Sequence, residues 1–175
     1  KDKTSTGYLD CTGLIVAGID KETGNNISFL THQDPKKFLS DDRDRFIADL
    51  KKRFAEIKDR CEPGSLDAVV FGGAYFNHPA FKNLKQNYLD SLKLLGDEVQ
   101  NSLGFEPVVI NGPKVSNKGQ DEALYDNQNR RIYFVRPEME HTIDKSDPPE
   151  KYKAINTRAK DFLPSEAGEH VDEWK

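Results

Sequence analysis

The chain reads as an α+β domain with a mixed two-sheet β core, a sandwich, flanked by two long helices. Three observations predict this. Two β-rich runs, residues 14–19 and 27–32, are joined by turn-forming residues. Two longer stretches, 46–61 and 79–103, repeat apolar residues at helical spacing. Short strand-like runs separated by turn chemistry then follow at 105–110, 123–125 and 131–135.

The length of 175 residues and the interspersed apolar segments fit one domain, with residues 1–137 as its body and 138–175 as a partly irregular C-terminal appendage. A formal charge of −4, with lysines and arginines mixed among acids, argues against a nucleic-acid partner. No apolar run approaches the roughly 20 residues that span a bilayer, and no signal-peptide pattern is present. The reading is therefore a soluble chain, cytoplasmic or secreted into another cell, with its oligomeric state open. Two cysteines do not make a disulfide framework, and four histidines without metal-ligand spacing predict neither a zinc site nor a cofactor.

Taken in order, residues 1–7 are polar and expected to fray, except where Thr6 approaches the core. The run Leu14-Ile15-Val16-Ala17-Gly18-Ile19 is apolar on both faces, as a strand covered on each side would be. Ile27 to His32 is its partner, ended by Pro35. Between them, Lys21-Glu22-Thr23-Gly24 supplies a turn. A four-residue loop there sets Gly13 opposite His32, and puts Cys11 one diagonal step away on the same face, about 7–8 Å off. A two-residue loop would place Cys11 directly opposite; an odd loop or a bulge would separate the faces.

Ser40, Asp41 and Asp42 offer capping oxygens for the first helix, whose buried stripe is Phe46, Leu50, Phe54, Ile57 and Cys61. Cys61 thus reads as a core thiol. Residues 66–71 form a strand, and Gly72-Gly73 marks a tight turn or close backbone approach. The second helix starts near Pro79, buries Phe81, Leu84, Tyr88, Leu92, Leu95, Val99 and Leu103, and stops at Gly104. Residues 114–122 read as a polar loop ahead of a hairpin turning at Asp126-Asn127-Gln128-Asn129. His78 reads as a helix-entry residue, and His141 and His170 as solvated.

In this order the elements resemble the CheD-type cysteine amidohydrolases, the superfamily that also holds the cytotoxic necrotizing factor deamidase domain. Thr6-x-x-Leu9 before Cys11 is similar to the family's Thr-x-x-Leu-small-small-Cys segment, although Asp10 alone stands between Leu9 and Cys11. Cys11, an apolar strand, Asp20 and His32 resemble its nucleophile hairpin. Val70-Phe71-Gly72-Gly73-Ala74 is the sharpest match, and the likeness covers roughly residues 6–136.

The resemblance implies deamidation of glutamine to glutamate in a protein substrate, without cofactor or metal. Cys11 would be the nucleophile and His32 its acid–base partner, with Thr6, or else Thr4 or Ser5, orienting the imidazole. Backbone amides around Cys11, Thr12 and Gly13 would stabilise the oxyanion. Two alternatives stand beside it: a catalytically silent relative that binds a protein partner, and a cysteine peptidase or transglutaminase using the same dyad.

Overall fold

The computed structural model describes residues 3–8, 11–40, 42–72, 75–76, 82–110, 114–115, 121–135 and 153–156. Strand β2 (Thr12–Ile19) lies at the centre of a sheet ordered β3-β2-β4-β6, with β3 at Asn26–Gln33, β4 at Asp67–Gly72 and β6 at Val108–Ile110. It runs antiparallel to β3 and β4, whereas β4 and β6 are parallel. The parallel pair follows from the long helix between them, since a parallel return needs a crossover. Helices α2 (Arg43–Arg60) and α3 (Lys82–Leu103) cover one face of this mixed sheet. A second, antiparallel sheet covers the other. It is ordered β1-β8-β9-β10, from Lys3–Tyr8, Asp121–Asp126, Arg131–Val135 and Lys153–Asn156. A one-turn helix α1 (Pro35–Phe38) and a parallel pair of two-residue strands, β5 (Tyr75–Phe76) and β7 (Lys114–Val115), complete the described elements.

Burial on both faces explains the unbroken apolar run of β2. Leu14 and Val16 pack against Leu50, Phe54, Leu92 and Leu95 of the helices, while Ile15 and Ala17 meet Tyr8, Tyr125 and Ile132 of the second sheet. β4 divides the same way, with Ala68 and Val70 under the helices and Val69 and Phe71 between the sheets. Of the predicted helical stripes, Leu50, Phe54 and Ile57 on α2 and Tyr88, Leu92, Leu95, Val99 and Leu103 on α3 are buried, whereas Phe46 and Leu84 are half-buried. Cys61 is buried and free, as a core thiol.

Three stretches differ from expectation. Residues 3–8 are not frayed but pair with β8 along their length, a register that a polar run cannot announce by itself. The loop foreseen at 114–122 contains β7 and the start of β8. Within the expected appendage 138–175, residues 153–156 form the outer strand of the second sheet against β9. The helix start at 79–81, Gly73, Ala74 and His78, His141 and His170 lie outside the described residues.

The expected close approach at Gly72 is present. A Cβ there would overlap the ring and hydroxyl of Tyr88, which is itself fully buried and has nowhere to retreat. Gly72→Ala is expected to destabilise by about 1–3 kcal/mol as an overpacked core, read as a lower urea midpoint with unchanged slope.

Candidate functional site

The hairpin turn decides the site. Asp20 N–H donates to Asn25 O and Gly24 N–H donates back to Asp20 O, closing the loop over Lys21, Glu22, Thr23 and Gly24. The Asp20 carboxylate accepts from the Glu22 and Thr23 amides, and Gly24 takes the left-handed conformation at φ 69°. The Arg60 guanidinium bonds the same carboxylate and, with those two amides, holds it below the usual carboxylate range. Asp20 is therefore a turn residue at the end of the hairpin away from Cys11. With the loop at four residues, Gly13 stands opposite His32 and no bulge interrupts the β2–β3 ladder.

That register brings Cys11 and His32 to one face. Cys11 precedes β2 and packs with Ile15, Leu30 and Tyr8 in the layer between the sheets. His32 lies two residues beyond Leu30, so it shares that face. The Cys11 thiol is half-buried and in no disulfide; His32 keeps an exposed edge.

β1 completes the arrangement from the second sheet. Ser5 Oγ lies 3.2 Å from His32 Nδ1. The Tyr8 ring stacks on the imidazole with centroids 4.1 Å apart and planes 20° from parallel, and its hydroxyl donates to Thr31 O at 3.2 Å. Ser5 and Tyr8 are three residues apart, which in a regular strand would put them on opposite faces. A bulge between Thr6 and Tyr8, where two β1 residues answer one step of β8, brings both to the same ring. Tyr8 in turn leans on Phe71, with centroids 5.1 Å apart, and the Phe71 ring occupies the space that a Cβ at Gly13 would need. Gly13 seats Phe71, Phe71 backs Tyr8, and Tyr8 clamps His32.

This packing has electrostatic consequences. Burial pushes the His32 imidazole below its ordinary value, and the Asp34 carboxylate opposes that only in part. The ring is thus biased toward the neutral form. Burial also pushes the Tyr8 phenol well up, a nearby Cys11 adds to it, and a hydrogen bond from Ser5 works the other way. Tyr8 therefore stays a neutral donor near neutral pH.

A hydroxyl at the imidazole is that of Ser5, one of the three candidates for that role; the side chain of Thr6, first choice among them, lies outside the described residues. The expectation of oxyanion donors at Thr12 and Gly13 needs correction, because both residues lie in a strand paired on each side. Thr12 is fully buried on the helix side, its hydroxyl bonded to Ser91 Oγ and accepting from Gln33 Nε2, while Phe71 covers Gly13. Tyr8 is the site residue that sequence patterns missed, since stacking has no spacing signature. Asp10 lies outside the described residues.

Among the described residues no three His, Cys, Asp or Glu side chains gather as metal ligands would, and no helix is long and apolar enough to cross a membrane. No family model, no curated protein and no solved structure matches the chain.

Proposed function

We propose that this chain is a cysteine amidohydrolase that converts glutamine side chains of a protein substrate to glutamate. The observation that carries the reading is the convergence on one face of a half-buried Cys11 outside any disulfide, an imidazole biased toward neutrality, and a Ser5 hydroxyl at its Nδ1. Nδ1–H donation to Ser5 leaves the Nε2 lone pair for proton transfer. In the first half-reaction Nε2 takes the Cys11 proton as sulfur bonds to the carboxamide carbon. The tetrahedral oxyanion then collapses, the C–N bond breaks, and ammonia leaves with the proton from Nε2. In the second, water gives its proton to Nε2 while its oxygen attacks the thioester. The C–S bond breaks, and Cys11 recovers its proton. The sum is amide plus water to carboxylic acid plus ammonia. The amides of Thr12 and Gly13 belong to a strand paired on both sides and are not the oxyanion donors in this reading.

The test is mass spectrometry of a cell lysate incubated with the protein. Gains of about one dalton at glutamine, lost with Cys11→Ala at unchanged far-UV circular dichroism, are the expected result. Persistent gains in that variant exclude Cys11 as the nucleophile, and incorporation of an added amine in place of ammonia release identifies a transglutaminase.

A further inference from the structure

Among the described residues β3 is an outer strand of the mixed sheet, bonded on one side only, to β2. Exposed edges are normally blunted by charge, proline or a bulge, because unpaired main-chain groups recruit other strands. This edge has none of these. Its eight residues, Asn26-Ile27-Ser28-Phe29-Leu30-Thr31-His32-Gln33, carry no acid, lysine, arginine or proline, and their register with β2 is unbroken. The Asp20–Asn25 main-chain bond sets the alternation of the ladder, so Asn26, Ser28, Leu30 and His32 turn their N–H and C=O groups outward. Asn127 Nδ2 takes the Asn26 carbonyl at the turn end. From Ser28 to His32 the outward groups have no main-chain partner among the described residues. A row of alternating donors and acceptors is complemented by one shape, an extended chain.

The row ends at the proposed site, since its last member is His32. At its other end the helix side of the edge opens into a groove of about 290 Å³, floored by Ile27, Phe29 and Ile57 and rimmed by Arg53, Glu56 and Arg60. Ile27 and Phe29 face the helices, whereas Leu30 faces the second sheet as His32 does. A residue level with His32 therefore sits on the His32 face. Residues three and five positions away, level with Phe29 and Ile27, fall on the groove face.

We propose that the outer edge of β3 is the docking rail for the substrate, an extended unpaired segment that adds as a further strand. It sets a glutamine level with His32 and apolar side chains three and five residues away over the groove. The proposal rests on the amidohydrolase reading and names its substrate class: glutamine in an unfolded or loop segment with an alternating apolar flank, not glutamine on a helix.

The test uses the full chain and millimolar thirteen-residue Ser/Thr peptides with a central glutamine. Leucines stand three and five residues from the glutamine, before or after it, or two and four residues away in controls of equal composition. Backbone hydrogen exchange is followed by NMR. At least one odd-spaced peptide is expected to slow the Ser28, Leu30 and His32 amides by tenfold or more, and the even-spaced controls not. N-methylating one alternate set of that peptide's amides abolishes the protection, and methylating the other set leaves it. Absence of protection with every peptide, or equal protection by the controls, overturns the proposal. So does protection before peptide is added: if it grows with protein concentration, a second copy pairs with the edge, and if it does not, the chain's own segments cover it. Selective protection without ammonia release keeps the rail and refutes the amidohydrolase.

Discussion

Replacing Arg130 by methionine is expected to lower the unfolding free energy by about 3–5 kcal/mol, the scale for removing one partner of a buried ion pair. Arg130 is buried at the tip of the β8–β9 hairpin. Its guanidinium bonds the Asp67 carboxylate and the carbonyls of Ser65 and Ala17, so one side chain ties the second sheet to β2 and to the start of β4. Asn127 adds a second tie, donating to Asn26 O and accepting from Ser28 Oγ. Methionine keeps much of the apolar stem and the same unfavourable positive φ of 54°, so the difference reports the guanidinium charge together with its hydrogen bonds. It removes the Arg130 cation from the Asp67 carboxylate, which is only 18 % exposed. Urea unfolding measures the loss. Pairing Arg130→Met with Asp67→Leu should recover a large part of it, because the double variant no longer strands a charge. A single variant within 1 kcal/mol of the parent would show that the tie contributes little.

Exchanging His32 for glutamine should slow alkylation of Cys11 by iodoacetamide at pH 6.5 by one to two orders of magnitude. An unassisted thiol with a pKa of about 8.5 is only about 1 % thiolate at that pH. With His32 present, the rate should fall on acidification with a midpoint below about 6.5, since burial of the imidazole moves its titration down from that value. In the variant the profile should move to that of an ordinary thiol. Mass spectrometry separates Cys11 from the buried Cys61, whose thiol burial pushes up. The same shift has a stability sign. A folded imidazole with a depressed pKa binds its proton less readily than the unfolded one, so the unfolded chain takes up more protons on acidification. The His32 contribution is therefore present above about pH 6.5 and is lost as pH falls through the lower folded value. The glutamine variant should lack that part of the acid destabilisation. Equal Cys11 alkylation profiles in the two proteins would disconnect the imidazole from the thiol and remove the basis of the proposed chemistry.

The structure also joins the two experiments. The Ser5 and Tyr8 that hold His32 belong to β1, whose place on the second sheet depends on β8, the strand that leads into the Arg130 turn. A loosened tie at Arg130 is expected to relax the imidazole at the opposite end of the hairpin.

The sequence by itself determined the elements whose information is local. Alternating or continuous apolar runs marked β2, β3 and β4; the stripes Leu50-Phe54-Ile57 and Tyr88-Leu92-Leu95-Val99 marked the helices; and turn residues around Asp20 and Gly24 marked the hairpin, whose four-residue loop, and with it the shared face of Cys11 and His32, the structure then settled. Only the tertiary structure decided that polar residues 3–8 are a strand, that 153–156 closes the second sheet, and that Ser5 and Tyr8 meet the imidazole. The reason is physical: a strand's faces follow from its register, and the register of β1, with the bulge that turns Ser5 and Tyr8 together, is set by β8, more than a hundred residues along the chain.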